Sequence, residues 1–308
     1  MSPTDPKQTM EDSLDNASNA FHAGIILNKF HSEHVESLRT LTSGIGHPKV
    51  GGRMKGRTLA ACLRLIIISA VAGLSMSMAS VPANAQFYVR SPDVEKGELK
   101  LEEHGAIYSG PGEDERRRQS HELEAKYGFT DRWEGIVETT FRQNIGDSLK
   151  AHRFEIGAQY EIIERQGNGL GLAFRSLYEF ALQDGDPDEI LFGPLAKFVR
   201  GRDSLTVNTF FVGQVGNHVD IDSLELKVNW RLKHEFGEKF GVGIEGYSEI
   251  EDLSHTGSFD EQKHRLGPVA YLEFEDSMPK WEFAAGALFG VSDATSDVTF
   301  KFDAEVQF

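Results

Sequence analysis

The closing stretch DVTFKFDAEVQF (297–308) puts Phe300, Phe302, Ala304, Val306 and Phe308 on alternate positions, with Lys301, Asp303, Glu305 and Gln307 between them. A period of two is the signature of a strand with one apolar and one polar face. The pattern recurs upstream in GELKLEEHGAIY (97–108), SHELEAKYGF (120–129), RWEGIVETTF (132–141), AHRFEIGAQYEII (151–163), LGLAFRSLYEFAL (170–182) and ILFGPLAKFVR (190–200). It continues through SLTVNTFFVGQV (204–215), SLELKVNWRLKHEF (223–236), FGVGIEGYSEI (240–250), HRLGPVAYLEF (264–274) and KWEFAAGALFGV (280–291). With the closing stretch, the predicted elements are twelve strands of about ten residues, each bounded by turn residues.

The connections discriminate between two architectures. Thr130-Asp131, RQGNG, GRD, GEK and EDSMP are short, whereas SGPGEDERRRQ, QNIGDSLK, QDGDPDE, GNHVDID, EDLSHTGSFDEQ and SDATS are longer, and the two kinds alternate along the chain. A soluble sandwich of two sheets needs long crossings at both ends and gives no such alternation. A barrel in which each strand pairs with its chain neighbours does, with short turns on the periplasmic side and long loops outside. The predicted fold is therefore all-β: a transmembrane antiparallel up-and-down β-barrel of about 12 strands. Both ends of that barrel chain are expected on the short-turn side. Phe129 and Trp133 beside one short turn, and Phe236 and Phe240 beside another, fit an interfacial aromatic girdle.

The N-terminal third changes character. Residues 54–85, MKGRTLAACLRLIIISAVAGLSMSMASVPANA, run from basic residues through an apolar stretch to Ala83-Asn84-Ala85, the order of a cleavable secretory signal with a small-x-small site at Ala83 and Ala85. The apolar run is short for a spanning helix and holds Ser69, Ser75 and Ser77. Residues 1–53 form a polar extension that fits either a disordered arm or an upstream misassigned start. The division expected is thus 1–53, a signal at 54–85, and a barrel at 86–308. The single cysteine, Cys62, falls in the signal, so the barrel has neither disulfides nor thiolate metal sites.

From Gln86 onward there are 24 Lys/Arg against 42 Asp/Glu, more acidic than the formal net charge of −16 of the whole chain. That sign disfavours nucleic acid as a partner. A secreted barrel instead implies a Gram-negative outer membrane, with its lipids and lipopolysaccharide as surroundings. The oligomeric state stays open.

Positions alternating with the apolar set point into the lumen. They are Glu122, Glu124, Lys126, Arg142, Arg153, Glu155, Arg175, Glu225, Lys227, Arg231, Lys233, Glu245, Arg265, Lys301, Asp303 and Glu305. Both signs occur, which fits ion-pair ladders bracing a narrow barrel or charged rings lining a pore. Twelve strands lie between the filled eight-stranded and the open sixteen-stranded type, so either a narrow polar passage or a plugged lumen follows. The expected role is passive or weakly selective, mildly cation-preferring passage of small solutes. A non-conducting barrel presenting acidic loops such as QDGDPDE to partners is the alternative. No cofactor and no metal site is expected: DGDPDE lacks the length, glycine and terminal glutamate of a twelve-residue calcium loop. Neighbours such as His255 and Ser258 show no nucleophile setting, so an enzyme is not expected.

Two resemblances add to this reading. The alternating strand ending on Phe308, with Phe300, Phe302 and Val306, resembles the terminal assembly signal that the barrel insertion machinery reads in outer-membrane proteins. LEAKYGFTDRWEG (123–135), FEIGAQYEI (154–162) and HRLGPVAYLEF (264–274) resemble phrases of the outer-membrane barrels grouped with the meta-pathway of phenol degradation. That resemblance implies uptake of small molecules without fixing a substrate or any binding residue.

Overall fold

Alternating residues make strands because extended backbone throws successive side chains to opposite faces. The computed structural model describes residues 87–110, 117–217, 219, 223–275 and 278–308. The extension, the signal and its site at Ala83 and Ala85 lie outside the described residues. Twelve strands follow in chain order: β1 (Leu99–Ser109), β2 (Arg117–Gly128), β3 (Trp133–Asn144), β4 (Lys150–Ile163), β5 (Gly169–Ala181) and β6 (Asp188–Arg200), then β7 (Asp203–Val215), β8 (Leu224–Glu235), β9 (Phe240–Ile250), β10 (Lys263–Phe274), β11 (Lys280–Gly290) and β12 (Val298–Gln307). Each pairs antiparallel with its neighbours in sequence, and β12 returns to β1, so the sheet is a closed barrel. The closing seam runs from Lys100 opposite Gln307 to Ser109 opposite Val298. Beyond it, Phe308 N–H donates to the Leu99 carbonyl (2.9 Å). Closure removes the unpaired edges that an open sheet would expose.

Burial is inverted relative to a soluble protein. Glu245, Arg175 and Lys301 are 0%, 1% and 2% exposed, whereas Phe129, Trp133 and Phe300 are 63%, 50% and 53% exposed. The outward apolar face carries aromatic pairs near the short turns, among them Trp133–Tyr160 (4.8 Å between centroids) and Phe236–Phe240 (6.1 Å), and Phe154–Phe180 (6.2 Å) toward the long loops.

Val306 shares the outward face with Phe300 but is only 2% exposed, set between its register partners Leu101 and Trp281. Two strands also begin earlier than their alternation, at Arg117 and Asp188, because ladder pairing extends into polar residues near the long loops.

The stretch before β1 departs most from expectation. Residues 87–96, FYVRSPDVEK, carry no ladder pairing, yet Phe87 and Val89 are buried with Ala106, Tyr247 and Leu288. This tail runs inside the barrel. Gly97, at φ 83°, reverses the chain into β1, and its N–H donates to the Gly128 carbonyl (2.8 Å). A side chain at Gly128 would strike the Glu95 carbonyl, so a glycine is what lets the tail enter there. Phe87 reaches the half of the lumen nearer the long loops, edge-on to Tyr108 (5.9 Å between centroids), whereas Phe308 sits beside Leu99 at the short-turn end. β1 thus starts and β12 ends at the short-turn end, as expected of the barrel, while the described tail threads back up the lumen as far as Phe87.

Candidate functional site

The inward residues converge on two nodes, both of which the tail touches. On neighbouring strands, Glu124 (β2) stands opposite Glu138 (β3), and Glu122 lies two residues along β2. Carboxylate oxygens of all three lie within 4.8 Å of one another. Arg175 of β5 bridges two of them, from Nη2 to Glu124 (2.5 Å) and Glu138 (3.0 Å). The tail supplies the second guanidinium: Arg90 Nη2 pairs with Glu122 and lies 3.2 Å from Glu138 and 3.5 Å from Glu124. Buried like charges stay ionised only beside such counterions.

The second node centres on Glu245, which accepts from Lys301 (2.6 Å), Arg231 (2.7 Å), Tyr271 (2.8 Å) and Tyr247 (2.5 Å). Lys301 also pairs with Asp303 (2.9 Å), and Asp303 in turn with His104 (3.1 Å). The ring of Tyr88, from the tail, stacks on His104 at 3.7 Å between centroids, and its hydroxyl reaches Glu305 (3.4 Å).

The remaining expected lumen residues form ladders around these nodes. Lys126 joins Glu102 and Glu124, Arg153 meets Glu189 at 2.7 Å, Lys227 meets Glu225 at 3.1 Å, and Lys233 pairs with Glu273. Glu155 accepts from Thr140 (2.9 Å), and Arg142 contacts His152. Arg265 lies over the Phe87 ring at 4.9 Å.

Sequence reasoning missed the groups that hold the tail. Asn208 brackets Arg90, accepting from its backbone N–H (2.7 Å) and donating to its carbonyl (2.9 Å), as a strand partner would. Gln159 donates to the Ser91 carbonyl (3.1 Å) and Asn229 to that of Tyr88 (3.3 Å). Nearer the short turns, Asp93 accepts from Arg165 (2.9 Å) and Lys197 (3.0 Å). The usable signal was an aromatic, β-branched stretch, FYV, between the signal and the first strand, where a mere linker would be polar. Ala173, Leu195 and Phe210 pack with Leu191 in a small apolar cluster on β5, β6 and β7.

The cavity beside Arg90 measures about 60 Å³, room for a few waters. His255, in the loop after β9, bonds Asp252 and Ser254 rather than Ser258, whose N–H donates to Glu261. His255 Nδ1 faces both partners, whereas a catalytic relay needs them on opposite ring nitrogens. Hydrogen bonds from Ser223, Ser254 and His255 hold the Asp252 carboxyl below the usual range.

No protein-family model and no curated protein matches the chain. Solved structures that resemble it include the NanC porin (10% identity, TM-score 0.46, spanning 68% of this chain and 98% of that one). The KdgM porin in complex with disordered oligogalacturonate gives 9%, 0.45, 68% and 98%, and OprD from Pseudomonas aeruginosa 11%, 0.35, 68% and 64%. TM-scores below 0.5 at such identity leave the reading of this chain to its own residues.

Proposed function

We propose that the protein is an outer-membrane channel for small solutes, closed by its own tail in the lumen. The observation that carries this is the inversion of burial: an apolar exterior about a charged interior suits a wall between hydrocarbon and water. The interior is mainly a network of charged and amide groups with two small apolar clusters, and the tail that fills it has no ladder bonds to break on leaving. Among the described residues, buried Asp and Glu outnumber buried Lys and Arg by eleven to seven, an excess that favours cations, with salt weakening the preference as it screens the charges. The phrases that resemble those of the phenol-degradation barrels fit small-molecule uptake, on that resemblance alone.

A second reading is a non-conducting barrel that displays its acidic loops. The cavity that holds only a few waters favours it. Planar-bilayer recording of the refolded protein separates the two: brief cation-preferring openings support the channel, and silence at every salt and voltage supports the structural barrel.

A further inference from the structure

The geometry points to a binding site in the lumen wall, made by Glu122, Glu124 and Glu138, for guanidinium and primary-ammonium groups, filled here by the chain's own Arg90. The three carboxylates belong to β2 and β3, whose ladder is complete without the tail. Their wall-borne counterions, Arg175 and Lys126, serve Glu124 and Glu138. Glu122 takes its ion pair from Arg90 alone among the described residues. Without the tail Glu122 has no ion-pair partner among the described residues, and the charge that meets it arrives on a segment held by side chains of the wall. Arg90 stands to this site as a tethered ligand stands to its pocket.

The surroundings define which free ligand fits. The adjoining cavity mixes carboxylates such as Glu122 and Glu138 with the wall cations Arg142, Arg153 and Lys227 and the apolar Leu177, Leu191 and Phe210. A guanidinium on a short apolar body that takes the place of Arg90 therefore keeps the contacts with Glu122 and Glu138 and has apolar side chains within the same cavity. The planar fork of a guanidinium matches paired carboxylates best. Such a solute exchanges with Arg90 rather than adding to it, so its binding and the tail's release are linked. The site rests on this geometry; only its effect on current rests on the channel reading.

Chemical rescue tests it in the full-length, detergent-refolded protein. Ethylguanidinium is titrated calorimetrically into the wild type, Arg90→Ala and Arg90→Ala/Glu138→Gln at fixed ionic strength, with neutral ethylurea as the shape control. Saturable binding to Arg90→Ala, at least about tenfold tighter than to wild type or to the double variant, is expected. Equal heats for wild type and Arg90→Ala, or equal binding of ethylurea, would overturn the site. Should Arg90→Ala not fold, it is refolded with ethylguanidinium: recovery beyond that given by ethylurea supports the site, and none contradicts it. Rescue in calorimetry with no current from any variant supports the site while counting against the channel.

Discussion

Arg175 lies 1% exposed between Glu124 and Glu138, and removing it leaves two buried carboxylates with less countercharge. Arg175→Met should destabilise the barrel by about 3–5 kcal/mol, measured by urea unfolding in vesicles, because an uncompensated buried charge costs more than the pair returns. Gly128→Val makes a different demand. Its side chain would meet the Glu95 carbonyl of the tail while leaving the β2–β3 register in place. More frequent channel openings with an unchanged far-ultraviolet strand signal are expected, and openings at the wild-type rate would show that the tail enters elsewhere. At this scale the sequence was half legible. A period of two marked which charges point inward, since every residue of a regular strand obeys it. It could not mark Asn208 or Gln159 as tail ligands, since a neutral amide carries no sign of a partner 118 or 68 residues away.

Strands and loops were the most legible elements, for a physical reason. A barrel strand meets hydrocarbon on one side and water or charge on the other over its whole length, so its alternation is strong and its ends fall at turn residues. Errors were confined to ends such as Arg117 and Asp188, where both faces are polar. β12 invites a test of the assembly signal. Deleting Phe308 removes one partly buried ring, worth about 1.5–3 kcal/mol by area, and the backbone bonds to Leu99. A fall in membrane-inserted protein well beyond what spontaneous refolding into vesicles loses would assign Phe308 to recognition by the insertion machinery; equal losses would assign it to the seam alone. The loop after β9 bears a pH dependence of known sign. The Asp252 carboxyl is held below its ordinary range, so its hydrogen bonds stabilise the loop above about pH 4 and are lost as pH falls through the lowered value. Amide exchange at Ser254 and His255 should be flat from about pH 5 to 8, after correction for intrinsic rates, and rise in stronger acid.

At the scale of the whole molecule, an inside-out barrel and a tail threaded through it combine a wall with an apolar outer face and a lumen that the chain itself fills. The barrel could be inferred from patterning and from the alternation of short and long connections. The threading could not, because the path of an unpaired segment depends on contacts with many strands at once and leaves no periodicity of its own. The Gln159 side-chain amide donates to the Ser91 backbone carbonyl (3.1 Å), while the Ser91 hydroxyl turns to Asp93, so the two positions suit a flexible cross-link rather than a direct disulfide. The decisive measurement is single-channel recording of Ser91→Cys/Gln159→Cys in a Cys62→Ser background, first with reductant and then with a reducible bifunctional thiol cross-linker. Cation-preferring openings under reductant that vanish on cross-linking and return on reduction are expected. Identical current in both conditions, or none in either, would contradict a channel closed by its own tail.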